Sequence, residues 1–260
     1  MGHSSYYFQL SGKRFLVDPV LSGNASPIPG TTKSFAGTDI YTTDDFPEID
    51  FLIISHDHYD HLDYKTIKEL KPKIKTVICG LGVGAHFERW GFDENQIIEL
   101  DWYDNRNLAD DFKITSTPAR HFSGRLFKRN TTLWSSYVLE SPGKKIFIGG
   151  DSGYDIHFKK IGETFGPFDW AILENGQYNE KWKYIHTLPE EFGKVVNDLN
   201  SKNIFPVHSG KFALAQHAWN EPLEKVKQNS FGKNYRLCTP MIGEKLNLDD
   251  ESQTFSEWWK

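Results

Sequence analysis

The chain has 260 residues, 38% hydrophobic and 15% aromatic, enough to bury a substantial core in one large domain or two small ones. Its formal net charge is −5 and its pI about 6.1, which argues against a broad nucleic-acid-binding surface, so no nucleic-acid partner is expected. No apolar segment reaches transmembrane length, and MGHSSYYFQL lacks a basic stretch followed by an apolar one. Neither an integral membrane segment nor a secretory signal is expected, and a cytoplasmic location follows by default.

Tyr7–Leu10 and Arg14–Val17 flank Ser11-Gly12-Lys13 and read as a β-hairpin with a glycine turn. Ser22 to Gly37 is rich in Gly, Pro, Ser and Asn and reads as a long loop, of a length that is often functional. Asp50–Ile54 is a short apolar strand, followed by the stretch SHDHYDH. Asp63–Leu70 reads as a helix stopped at Lys71-Pro72, Thr76–Gly80 as a strand, Gly84–Trp90 as a helix and Ile97–Leu100 as a strand. Phe112–Pro118, Ser135–Leu139, Lys145–Gly149, Asp169–Leu173 and Ile204–Val207 continue the run of strands. Thr187-Leu188-Pro189-Glu190 matches a capping box, after which Phe192, Val195, Val196 and Leu199 share one helical face. Strands interrupted by helices predict a layered α/β fold, here a single domain over 1–260. Cys79 and Cys238 lie in no metal-binding or disulfide pattern and are expected to be free, buried thiols.

The chemistry-bearing residues collect just past the apolar runs. His56, His58, Asp60 and His61 follow the strand 51–54, His121 follows 113–118, Asp151 follows 146–150 and His208 follows 205–207. Imidazole and carboxylate together suit zinc, manganese or iron. His56 and His58, two residues apart, can face one way in an extended segment, and a turn at Asp60-His61 can direct that pair at a second ion. A carboxylate can bridge two ions, and Asp151 is the candidate. The basic stretch holding Arg120, Arg125, Lys128 and Arg129 suggests phosphate contacts by Arg125 or Arg129.

His56-Asp57-His58-Tyr59-Asp60-His61 matches the HxHxDH signature and resembles the metallo-β-lactamase superfamily. Gly2–Ser22, Pro118–Glu140, Phe147–Gly162, Ile185–Val196 and Pro206–Ala215 resemble, in order, the branch containing N-acyl-phosphatidylethanolamine-hydrolysing phospholipase D and its bacterial relatives. The resemblance implies a four-layer αββα sandwich of two mixed β-sheets flanked by helices. It implies one ion held by His56, His58 and His121, a second by Asp60, His61 and His208, and Asp151 as the bridge. Zinc is the expected metal, with manganese or iron as alternatives.

The resemblance also places His186 at the reaction centre, where an imidazole could donate to the developing oxyanion or leaving group, and Asp60 could accept a hydrogen bond from the attacking hydroxide and aim it. His3, in the early GHS segment, would border the substrate. Glu174 stands where the branch has an apolar, Gly-containing segment and is expected to enter the cleft and alter substrate choice. The chain begins almost at the first motif, without the strand that usually precedes it and without the long animal N-terminal extension, which weakens a membrane-bound lipid substrate. The expected function is hydrolysis of a small-molecule phosphodiester. Alternatives are hydrolysis of a lactone, as in proteins resembling L-ascorbate-6-phosphate lactonase, or a non-enzymatic metal-binding or interaction protein.

Overall fold

A computed structural model describes residues 1–28, 30–109, 111–125 and 127–260. The first apolar runs form a five-stranded sheet of β1 (Tyr6–Leu10), β2 (Lys13–Val17), β3 (Ile49–Ile54), β4 (Ile74–Gly80) and β5 (Ile97–Leu100), in that spatial order. β1 and β2 pair antiparallel through a two-residue turn in which Ser11 and Gly12 both have positive φ, the geometry that suits a hairpin's twist. The pairs from β2 to β5 are parallel, with α1 (Tyr64–Leu70) and α2 (Gly84–Arg89) between them.

A seven-stranded sheet follows. It contains β6 (Asn105–Asn107), β7 (Lys113–Pro118), β10 (Ser135–Ser141), β11 (Lys144–Ile148), β12 (Phe168–Glu174), β13 (Ser201–Val207) and β14 (Arg236–Leu237), ordered β14-β13-β12-β11-β10-β7-β6. β8 (Gly124–Arg125) and β9 (Lys128–Arg129) form a separate small ribbon. α3 (His157–Phe165), α4 (Phe192–Leu199) and α5 (Glu221–Ser230) complete the set.

Strand periodicity sorts the core into layers. Phe51 and Ile53 of β3 join Phe15, Ile78, Tyr137, Trp170 and Ile172 between the two sheets, while Leu52 and Ile54 face Ile67, Leu70 and Phe87 of the helices. Trp170 and Ile172 of β12 enter the same central layer, and Ala171 and Leu173 face Phe158, Ile161, Val195 and Leu199 on the outer side. The result is a four-layer αββα sandwich. Each fully buried Leu or Phe contributes about 1.5–3 kcal/mol of transfer free energy to it. Cys79 and Cys238 are buried and free. Among the described residues, no helix is long and apolar enough to cross a membrane.

Several expectations shift. The capping box at Thr187–Glu190 does not form: Thr187 Oγ1 donates instead to Ser152 O, and the helix begins at Phe192 behind Glu191. The Glu191 carboxylate accepts from Leu188 N, so the side-chain cap is displaced. The predicted face of Phe192, Val195, Val196 and Leu199 is nevertheless fully buried. α3 and α5 escape the sequence reading, α5 because only Pro222, Leu223 and Val226 are buried in its otherwise polar run. The expected loop Ser22–Gly37 carries neither strand nor helix in its described residues; Pro29 of that expectation lies outside them. Ala25 anchors it by packing with Val20 and Phe212.

Gly162 lets α3 and α4 approach closely, since a methyl group there would overlap the Asp198 carbonyl. Gly162→Ala is expected to destabilise the fold by about 1–3 kcal/mol, as overpacking does. A lower urea midpoint at unchanged m-value would show it; an unchanged midpoint would mean the helices simply separate.

Candidate metal centre

All the strands that matter point their carboxyl ends at one edge of the sandwich. Asp18 follows β2, His56 follows β3, His121 follows β7, Asp151 follows β11, Glu174 ends β12 and His208 follows β13. Parallel pairing makes those ends coincide, and in open α/β sheets that edge is where ligands bind.

There His56 Nε2 lies 2.9 Å and His121 Nε2 3.1 Å from His58 Nδ1. Two nitrogens bound to one tetrahedral zinc would sit about 3.3 Å apart. His121 Nδ1 donates to Ile185 O, 2.8 Å away; a carbonyl only accepts, so a neutral His121 turns a lone pair inward at Nε2. The Ser55 hydroxyl gives its one proton to Asp18 Oδ2 at 2.6 Å, so His56 Nδ1, 2.9 Å away, donates to it and Nε2 again carries the lone pair.

The second group lies alongside. His61 Nε2 is 3.5 Å from Asp60 Oδ2 and 3.2 Å from Asp151 Oδ2. Atoms of Asp60, His61, His208 and His3 all lie within 4.8 Å of one another. Asp151 stands between the groups, with Oδ2 4.0 Å from His56 Nε2 and 3.9 Å from His121 Nε2, and Oδ1 3.2 Å from His208 Nδ1. His61 Nε2, His208 Nε2 and Asp151 Oδ1 are buried without a hydrogen-bond partner, a costly state unless a cation completes them. These donors could therefore hold metal ions, and the orphaned atoms fit that use.

The electrostatics agree. Burial pushes His56 and His208 well below the ordinary imidazole range and His121 down to about 3, favouring the neutral form that ligates metal. His61 moves the other way: burial opposes its charge, but Asp151, Asp60 and Asp18 outweigh it. Asp60 and Asp151 stay ionised despite burial, because the surrounding imidazoles hold them below the usual carboxylate range. The cluster is built around a deficit of positive charge.

The other expected residues are placed as follows. His3 is 2% exposed, with Nε2 2.9 Å from Asp60 Oδ2, so it backs that acid rather than bordering open space. Glu174 is also buried, with Oε2 2.7 Å from His186 Nδ1. The His186 imidazole rises to about 9: burial opposes its charge, and Glu174 and Asp151 outweigh it. Arg125 Nη1 donates to Asp57 O and Leu62 O while its guanidinium lies 4.1 Å over the Tyr59 ring, clamping the histidine-rich loop. Arg129 is exposed, 5.1 Å over Phe122, whose ring lies 4.4 Å from that of His58.

Sequence reasoning missed Asp18. Its Oδ2 accepts from His61 Nδ1 at 2.8 Å and its Oδ1 from Ser55 N, which fixes the His61 tautomer. The signal was available, since Asp18 follows an apolar strand as Asp151 does. Ser4 Oγ, 2.8 Å from His208 Nδ1, supports that ring in the same way. Asp57, inside the motif, turns away to accept from Gly124 N. Asp18→Asn is expected to weaken metal binding by about 10–100-fold, the usual cost of losing such a supporting carboxylate. Competition against a chromophoric chelator measures it, with unchanged circular dichroism as the control; parental affinity would show that Asp18 does not orient His61.

Comparisons with known proteins agree with this geometry. The model of the Beta-lactamase superfamily domain matches residues 13–209. An uncharacterised protein of Mycobacterium tuberculosis is 37% identical over 263 residues, covering 100% of this chain and 70% of that protein. The N-acyl-phosphatidylethanolamine-hydrolyzing phospholipase D 1 of Caenorhabditis elegans is 34% identical over 88% of this chain and 68% of its own. Among solved structures, isothiocyanate hydrolase from Delia radicum gut bacteria shares the fold at a TM-score of 0.73, with 20% identity over 94% of this chain and 95% of that one. With a matching family model over most of its length, this chain belongs to the β-lactamase superfamily, a family of metal-dependent hydrolases.

Proposed function

We propose that the protein hydrolyses a small phosphodiester at a centre of two divalent ions, zinc in the first instance and manganese or iron as substitutes. The observation that carries this is the convergence of seven donors from four strand ends around orphaned buried atoms. His56, His58 and His121 would hold one ion, Asp60, His61 and His208 the other, with Asp151 shared between them. When bound, such ions bring the pKa of water from ~15.7 toward ~7 and stabilise charge on a phosphoryl or carbonyl oxygen.

The chain's own residues do the rest. Asp60, ionised and steadied by His3, would accept a hydrogen bond from the attacking water and aim it. His186, with Nδ1 committed to Glu174, keeps Nε2 to protonate the leaving oxygen. Arg129, exposed beside Phe122 and His58, is the guanidinium best placed for a phosphate oxygen. The name of the Caenorhabditis relative, a phospholipase D, supports a phosphodiester. The engagement of Arg125 with two backbone carbonyls favours the second reading, an uncharged lactone, because it removes one expected phosphate contact.

Metal analysis of the purified protein followed by parallel assays on bis(p-nitrophenyl) phosphate and a lactone panel tests the assignment. Asp151→Ala is expected to lose bound metal and to cost activity beyond the ~10–100-fold that a supporting residue costs; retained metal and turnover would remove Asp151 from the centre. Arg129→Ala is expected to raise KM for the phosphodiester by about tenfold, as loss of a charge-assisted hydrogen bond of about 1.5 kcal/mol does. An unchanged KM, with faster turnover of lactones, would favour the second reading.

A further inference from the structure

Glu174 makes three contacts that constrain one another. Oε1 accepts from Ser152 N and from Thr187 N, both at 2.9 Å. Oε2 accepts from His186 Nδ1 at 2.7 Å. Ser152 is the residue after Asp151 and Thr187 the residue after His186, so a single carboxylate ties the loop of the shared acid to the loop of the histidine. Thr187 Oγ1 donates to Ser152 O at 2.7 Å and closes that tie. Glu174 is 5% exposed and ends β12, so the sheet itself sets its position.

We propose that Glu174 is a positioning residue that obliges His186 to donate from Nδ1, and thereby leaves Nε2 as the ring nitrogen available to the reacting groups. Two backbone amides face Oε1, and an amide N–H only donates, so that atom must be an acceptor. A carboxylate leaves Oε2 as a second acceptor, and only a protonated Nδ1 satisfies it. The His186 ring stacks against His208 at 5.3 Å and stands edge-on to His121 at 5.2 Å, so it is packed on two sides. Its side chain is 13% exposed, and Nδ1, engaged on the buried carboxylate, also lies 4.0 Å from Asp151 Oδ2, so Glu174 holds the nitrogen that faces the shared acid. The claim builds on the proposed role of His186, yet its geometric core involves neither metal nor substrate.

Glu174→Gln separates this role from simple packing, because it is nearly isosteric. The amides of Ser152 and Thr187 would take the carboxamide oxygen, so the NH₂ group would face His186. Nδ1 would then have to accept, so the ring would give up the Nδ1 proton and keep only the one on Nε2. Long-range ¹H–¹⁵N spectra of the metal-free protein report this directly, with His186 identified by its absence in His186→Gln. The expected result is a protonated Nδ1 in the parent and in Glu174→Asp, and an unprotonated Nδ1 in Glu174→Gln. With metal restored, Glu174→Gln should lose about 100-fold or more in kcat, the lower range for a general acid, with KM within about twofold.

An unprotonated Nδ1 in the parent, or a protonated one in Glu174→Gln, would overturn the proposal. If Glu174→Gln fails to fold, the parent and Glu174→Asp spectra decide it by the same criterion. A proton that moves as expected in a protein hydrolysing neither ester class would uphold the positioning role and sink the hydrolytic reading alone.

Discussion

The mutual compensation of buried imidazoles and carboxylates governs this molecule. His61, which is 0% exposed, faces Asp18, Asp60 and Asp151, an arrangement that a low-dielectric interior tolerates only when positive charge is supplied. The neighbouring trio of His56, His58 and His121 offers lone pairs to one point. Acid-rich and imidazole-rich halves meet at Asp151, which contacts both. The sheets are arranged so that these groups have nowhere else to go.

Four of the rings have a second, fixed partner on one nitrogen. Asp18 serves His61, the Ser55 hydroxyl serves His56, Ile185 O serves His121 and Glu174 serves His186. These partners come from just past β2, from just past β3, from the loop after the short 3-10 turn at Glu180–Trp182 and from the end of β12. Proton positions at the centre are thus settled by backbone register as much as by side-chain choice. The same logic explains why His3 and Arg125 act inward: one steadies an acid, the other clamps the carbonyls of the loop that carries the histidines.

Much of the fold could be read from the chain. The apolar runs in Asp50–Ile54 and Asp169–Leu173 predicted strands, and both strands lie between packed layers. The face of Phe192, Val195, Val196 and Leu199 predicted its helix correctly even though the cap proposed for it was displaced. α5 was illegible because its buried stripe is only Pro222, Leu223 and Val226. Short strands such as β6 and β14 carry no pattern long enough to register.

For the candidate centre, local sequence supplied the donors but not their partners. The density of HxHxDH at a strand end sufficed to name His56, His58, Asp60 and His61, and other strand ends supplied His121, Asp151 and His208. Asp18 carried the strand-end signal, but its pairing with His61, the support from Ser4 and the inward turn of Glu174 and His3 could not be deduced, because each depends on a contact between residues 12 to 204 positions apart. Composition and periodicity act within a few residues and determine which side chains reach a strand end and which face of an element is buried. Only the packing of two sheets decides which strand ends meet, and hence which nitrogen of each imidazole is free.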